Sequence, residues 1–188
     1  MLKGLLDSLN LKRLITWDCH SQVGVDLTSA INIDPASIIK NDPALVNLLT
    51  DTNTVLICPD KGAVKRCTHI KESLKISEMI LCEKRRDPVT GRIVKTEVLV
   101  DDLRDKVAVI TDDICDGGFT FIKIAEQLRE KNVAKVVLFV THGIFSKGLT
   151  VFDGLVDEIV TTNSFKHDAH NKLREINFEY DFENGAGE

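Results

Sequence analysis

The stretch Lys106-Val-Ala-Val-Ile-Thr111-Asp112-Asp113-Ile114-Cys115-Asp116-Gly117-Gly118-Phe119-Thr120 decides how this chain is read. Its first six residues form an apolar, strand-like run. The next nine carry paired carboxylates, a third acid and two glycines, and lead into an amphipathic pattern. In that pattern Phe121, Ile124, Ala125 and Leu128 share one helix face, while Lys123, Glu126, Arg129 and Glu130 lie elsewhere on the turn. Two adjacent carboxylates at the C-terminal edge of a strand can hold the vicinal hydroxyls of a ribose. A glycine pair at a helix start frees backbone N–H groups for a phosphate. Strand, polar loop and helix therefore read together as a ribose-phosphate site.

Outward from this unit, further strand-like runs recur with helical patterns between them: Leu11–Trp17, Thr54–Cys58, Met79–Glu83, Lys135–Thr141 and Val156–Thr162, with Val107–Thr111 as the strand already quoted. They are nearly continuous in apolar character rather than alternating, as strands buried on both faces of a parallel sheet are. Asp34-Pro35 and Asp42-Pro43 each pair a capping residue with a first-turn proline, so two short helices are expected between Pro35 and Thr50. Residues 1–10 read as a short amphipathic helix. Asp87-Pro-Val-Thr-Gly-Arg92 is turn chemistry before the strand-like Ile93–Leu99, which predicts a flap or hairpin near residues 84–100. The tail from Asn177 alternates aromatics with acids and is expected to fray. The fold class that follows is α/β: a doubly wound, mainly parallel sheet with ligands at the C-terminal edges of its strands.

Composition narrows the function classes. The 188 residues suit one ordinary domain, and 43% hydrophobic with 28% charged residues is the balance of a soluble globular protein. A net charge of −5 argues against a nucleic-acid binder. No apolar run approaches the ~20 residues of a membrane span, and no signal-peptide pattern opens the chain. Cys19, Cys58, Cys67, Cys82 and Cys115 contain no Cys-x-x-Cys pair and read as small hydrophobes in a reduced cytoplasm. His167-x-x-His170 has no partner of metal-ligand spacing and reads as solvated.

The strand ends carry the polar chemistry. The first run ends in Asp18-Cys-His20, the second in Pro59-Asp60-Lys61-Gly62-Ala63-Val64-Lys65-Arg66, the third in Lys84-Arg85-Arg86 and the fifth in Thr141-His142-Gly143. Taken singly, each has a plain alternative. Asp112, Asp113 and Asp116 fit a solvated turn with a helix cap, and Lys84–Arg86 fit a solvated hairpin entrance. His20 fits a strand-end histidine satisfied by a neighbour, Asp60 a helix cap, and His142 a structural role.

Taken in order, the segments Trp17–His20, Cys58–Arg66, Glu83–Arg86, Val109–Thr120, Thr141–Ser146 and Glu158–Asn163 resemble the ribose-phosphate pyrophosphokinases (phosphoribosyl-pyrophosphate synthetases), within the type I phosphoribosyltransferase superfamily. The likeness covers roughly Leu11 to Phe165. The loop alone marks the superfamily; the Asp-x-His, Pro-Asp-x-Gly, Lys-Arg-Arg and Thr-His-Gly set marks the narrower family. The resemblance implies a doubly wound sheet of the phosphoribosyltransferase kind and the making of phosphoribosyl pyrophosphate from ATP and ribose 5-phosphate, in nucleotide biosynthesis. It implies Mg²⁺ as cofactor, a homo-oligomer as the assembly, and no nucleic-acid or membrane partner. His20 and Asp60 match metal-holding positions near the nucleotide phosphates. Lys84 and Arg86 match the catalytic basic pair on a closing loop. Asp112 and Asp113 match the carboxylates facing the ribose hydroxyls, and Asp116, Gly117, Gly118 and Thr120 match the turn gripping the 5-phosphate. Asp60, Lys61, Gly62 and Ala63 match a loop beside the pyrophosphate.

Two departures accompany the likeness. The family's phosphate loop reads Asp-Thr-x-Gly-Thr, whereas here Asp116-Gly-Gly-Phe-Thr120 lacks one hydroxyl at Gly117 and places Phe119 where a glycine stands. Family members also resemble two fused copies of this unit, and the adenine-binding part of the first copy has no counterpart here. The expected organisation is thus residues 1–20 as the end of a first α/β unit, residues 21–170 as a phosphoribosyltransferase-like domain, and 171–188 as a tail. A truncated form, or a minimal relative that borrows contacts from a partner, fits that organisation. The alternative functions are a phosphoribosyltransferase that consumes phosphoribosyl pyrophosphate, and a non-catalytic synthetase-like regulatory subunit.

Overall fold

The computed structural model describes residues 2–86 and 93–179. The expected hairpin turn at 87–92 and the last residues of the tail lie outside the described residues. In chain order the elements are α1 (Leu2–Ser8), β1 (Ile15–Trp17), α2 (Gln22–Thr28), β2 (Ile31–Ile33), α3 (Pro35–Lys40), α4 (Pro43–Thr50), β3 (Thr54–Cys58), α5 (Val64–Leu74), β4 (Glu78–Arg86), β5 (Ile93–Val98), β6 (Val107–Cys115), α6 (Phe119–Glu130), β7 (Lys135–Gly143), β8 (Glu158–Thr162) and β9 (Leu173–Ile176). Short 3₁₀ turns at Lys61–Ala63 and Thr150–Phe152 complete the set.

The main sheet has seven strands in the order β5-β4-β3-β6-β7-β8-β9. All neighbours run parallel except the edge strand β5, which returns antiparallel along β4 and forms the expected hairpin. The chain steps from β3 outward to β4, then crosses back to β6 and proceeds the other way. The strand order therefore reverses between β3 and β6, and the carboxyl ends of those two strands flank the crevice where such sheets bind ligands.

Successive residues of each strand face opposite sides, and both sides are covered. Ala108 and Ile110 of β6 join the cluster built on Phe121, Ile124, Ala125 and Leu128 of α6. Val109 joins the opposite cluster, with Ile38 and Ile39 of α3, Leu45 and Leu49 of α4, and Ile70 of α5. This double covering explains the unbroken apolar runs, since neither face of a central strand meets water. The α6 face expected from the sequence is the buried one. Helices α3 and α4 begin at their prolines, with Asp34 accepting from the amides of Ala36 and Ser37 and Asp42 from that of Leu45. Each such cap is worth roughly 1 kcal/mol.

Three expectations are corrected. The first strand is three residues long, Ile15–Trp17 rather than Leu11–Trp17, because Lys12 and Arg13 interrupt the apolar run. It pairs in parallel with β2 in a separate two-stranded sheet. The strand Val107–Thr111 continues to Cys115, because β7 also extends and keeps pairing with it as far as Cys115 opposite Gly143. The chain beyond residue 170 is not frayed through Phe178. β9 pairs with β8, and Phe178 is buried against Trp17 with ring centroids 4.9 Å apart in an edge-on contact.

Candidate functional site

At the reversal between β3 and β6 the two strand-end segments face each other across a cleft of about 270 Å³ lined by Asp60, Asp112, Ile114 and residues 116–121. Of the expected binding residues, Asp60, Asp112, Asp116, Gly117, Gly118 and Thr120 meet here.

The glycines divide in role. Gly118 has φ +77°, and a Cβ there would lie 2.6 Å from Cζ of Phe152, so both the backbone and the ring beneath demand glycine. It is the N-cap of α6, and no side chain caps the helix start. The first-turn amides of α6 thus point toward the cleft mouth, where a helix favours negative charge. At Gly117 a Cβ would meet only Cγ of Lys147, at 3.8 Å, an ordinary contact. Phe119 projects outward at 71% exposure, with the Lys123 ammonium 5.9 Å from its ring centroid.

Asp112 and Asp113 lie in the final part of β6 rather than in the loop. The Asp112 carboxyl is pushed up to about 7, first by burial; Arg66 opposes this and Asp113 adds to it. Asp113 is buried and receives the Nδ1 edge of His20 at 2.5 Å. That contact, followed by the charge of Asp113, raises the His20 imidazole above its ordinary value. His20 is itself 89% exposed, so an imidazole in solvent meets a buried carboxyl group.

Asp60 takes the plainer role left open for it as well as facing the cleft. Its Oδ1 accepts from the amides of Gly62 and Ala63, at 2.8 and 3.1 Å, capping the turn at 61–63. Lys61 approaches Glu83 at 3.7 Å. Among the described residues no three His, Cys, Asp or Glu side chains converge as a metal cluster; Asp60 lines the cleft, whereas His20 contacts Asp113 and is not part of the lining. Lys84 and Arg86 lie on β4 where it pairs with β5, opposite Thr96 and Ile93. Their side chains lie outside the described ones. Cys58 and Cys82 are buried, as expected; the neighbouring Cys67 thiol, then burial, pushes Cys58 up, and burial takes Cys82 up to about 12.

A brace not foreseen from the sequence holds the cleft's rear. Arg66 of α5 donates to Asp18 from Nε at 2.9 Å and from Nη2 at 2.6 Å, and Nη2 also reaches the carbonyl of Asp112 at 2.6 Å. Thr141 of β7 donates to the same Asp18 carboxylate at 2.6 Å. Asp18 therefore joins the end of β1 to α5, β6 and β7. His142 adds a second tie, with Nε2 2.8 Å from the Trp17 carbonyl and Nδ1 3.0 Å from Ser164 Oγ, which is the structural role allowed for it. Both Asp18 and Arg66 stand in strand-end segments, and that placement was the only signal of them in the sequence.

Fold and cleft together define an α/β protein with an acidic cleft beside a helix N-terminus at the switch point of a doubly wound sheet. Residues 84–178, half of the chain, match the model of the phosphoribosyl synthetase-associated domain, and the chain belongs to that family. It is 34% identical over 120 residues to the ribose-phosphate pyrophosphokinase of Mycoplasmopsis pulmonis, covering 62% of this chain and 36% of that one. It is 28% identical over 177 residues to ribose-phosphate pyrophosphokinase 2 of Schizosaccharomyces pombe, covering 92% and 54%. Ribose-phosphate pyrophosphokinase A of Dictyostelium discoideum is 29% identical over 174 residues, with 89% and 52% covered. The crystal structure of phosphoribosylpyrophosphate synthetase from Mycobacterium smegmatis superposes with a TM-score of 0.77 at 20% identity, covering 93% of this chain and 57% of that one. The chain spans about half the length of the relatives that it matches along most of its own length.

Proposed function

We propose that this chain carries the ribose 5-phosphate site and the transfer-loop portion of a ribose-phosphate diphosphokinase, which forms phosphoribosyl pyrophosphate and AMP from ribose 5-phosphate and ATP. The observation that carries the reading is the meeting of Asp112, the 116–121 loop and Asp60 in one cleft at the switch point. The amides at the start of α6 hold the 5-phosphate, with Thr120 beside them. Asp112 and Asp113 orient the ribose hydroxyls, and His20 holds the Asp113 carboxyl group in place. Lys84 and Arg86 come over the transferring diphosphoryl group, where transfer needs charge neutralisation and in-line positioning more than covalent chemistry.

Mg²⁺ fits the donor set. Three carboxylates line the cleft, and burial and mutual repulsion raise Asp112, so a hard divalent cation relieves a charge that the protein alone leaves unbalanced. His20 and Asp60 would hold it beside the phosphates of the nucleotide. When bound, it neutralises phosphate charge and orients the leaving group.

Residues 1–20 are read as the end of a first α/β unit, 21–170 as the phosphoribosyltransferase-like domain and 171–188 as a tail, within which β9 pairs with β8. A two-stranded parallel sheet is incomplete by itself, and Leu5, Leu9, Leu11, Val23 and Leu27 around it are exposed. Both facts support a neighbouring α/β unit as its cover and as the source of adenine contacts. A homo-oligomer and a cytoplasmic setting belong to the same reading. Among the described residues no helix is long and apolar enough to cross a membrane.

The test is AMP formation from ATP, ribose 5-phosphate and Mg²⁺, with the chain alone and with the N-terminal unit of a relative added. AMP in either mixture supports the synthetase reading. Its absence from both, with ribose 5-phosphate still bound, leaves the non-catalytic subunit. Pyrophosphate release from phosphoribosyl pyrophosphate on adding a nucleobase favours the transferase.

A further inference from the structure

The cleft is lined by Asp60, Asp112 and Asp116 and by no cationic side chain among the described residues. A phosphate monoester brings up to two more negative charges, so a cationic side chain at the rim would favour its binding beside the first-turn amides of α6. Two neighbouring cations are already engaged: Arg66 with Asp18 and the Asp112 carbonyl, and Lys123 with Glu126 at 2.7 Å and the Phe119 ring. Lys147 is exposed and makes no hydrogen bond or ion pair among the described residues.

Its place is set by the backbone. The amides of Ile144 and Phe145 both donate to the carbonyl of Cys115, at 2.8 and 3.1 Å, pinning the segment after β7 to the residue just before Asp116. Phe145 and Gly148 turn left-handed, at φ 48° and 73°, and the Gly148 amide closes on the Phe145 carbonyl at 2.8 Å around Lys147. Phe145 packs edge-on against Phe152, the ring that underlies Gly118. The two loops thus share one support. The lysine stem passes beside Gly117, where a Cβ would stand 3.8 Å from its Cγ. Nothing in the backbone requires glycine at 117. What the absent side chain leaves is room for that stem, with the ammonium still three bonds further along.

We propose that Lys147 is a phosphate-binding residue of this site. Its ammonium donates to a phosphate monoester held on the first-turn amides of α6, at the side where the loop has no hydroxyl. The inference rests on the ribose-phosphate reading and deepens it by naming the charge that offsets the acidic lining.

Calorimetric titration of inorganic phosphate and of ribose 5-phosphate tests it, using the wild-type chain, Lys147→Ala, Lys147→Arg and, as a control, Lys40→Ala at an exposed site on α3. Lys147→Ala should weaken both ligands ~10-fold or more, the scale of a hydrogen bond to a charged group, with a smaller dependence on salt. Lys147→Arg should stay within about threefold, since the charge is kept, and Lys40→Ala should match wild type. Thermal melts of the variants should overlay, because Lys147 holds no structural contact. Wild-type binding with unchanged affinity in Lys147→Ala overturns the role of Lys147 and leaves the loop site intact. A loss for ribose 5-phosphate without a loss for inorganic phosphate overturns the phosphate assignment. A wild-type chain that binds neither ligand overturns the site and this inference together.

Discussion

Asp112 concentrates the electrostatic tension of the site in one carboxyl. Burial and Asp113 push it up to about 7 against the pull of Arg66. In the unfolded chain it titrates near ~3.9, so the folded state binds the extra proton. Its contribution to stability is therefore full below about pH 4 and is lost as pH rises through about 7. Asp112→Asn cannot ionise, and its amide oxygen can still accept from the Asp113 amide. Measured by urea unfolding, its stability relative to wild type should rise by roughly 2–4 kcal/mol between pH 4 and pH 8. Parallel pH profiles would show that Asp112 is an ordinary carboxylate. The loop glycines make a second contrast. Gly118→Ala should lose roughly 2–4 kcal/mol from left-handed strain and overlap with Phe152, while Gly117→Ala should stay within about 0.5 kcal/mol in a thermal melt.

At the element scale the C-terminal strand is the sharpest case. Phe178 is 1% exposed, joins the cluster over α3–α5 and meets Trp17 edge-on. Phe178→Ala should cost roughly 3–5 kcal/mol in chemical denaturation, and a loss below 1 kcal/mol would mean that the stretch after β8 is dispensable. The central strands were legible because burial on both faces writes an unbroken apolar run. Helices α3 and α4 were legible from their Asp-Pro caps. β2 was not, since Ile31-Asn-Ile33 is too short to show a period, and in β9 the charged Arg174 and Glu175 mask the alternation. In the site, the loop and Asp60 could be read because their chemistry is local. The Arg66–Asp18 brace could not, because it joins residues 48 apart through the tertiary fold. Lys147 belongs to the same class: only the pairing of its turn with Cys115 brings it to Gly117.

Across the whole molecule, the small β1–β2 sheet is joined to the main sheet through Asp18. Removing Arg66 leaves that carboxylate buried with Thr141 alone, so Arg66→Ala should cost roughly 3–5 kcal/mol. Hydrogen exchange should show faster opening in residues 15–33 than in β6 or β7; uniform loss of protection would mean that the brace does not couple the two sheets. The brace, the hydrogen bonds from the segment after β7 and the reversal of strand order converge on one cleft, and the central claim is that this cleft takes ribose 5-phosphate. The most direct measurement is titration of ribose 5-phosphate into the ¹⁵N-labelled chain, followed by amide chemical shifts. Saturable shifts concentrated at residues 116–121, with weaker ones at 60–63 and 112–113, are the predicted result. Absence of saturable shifts, or shifts centred away from the carboxyl ends of β3 and β6, would contradict it.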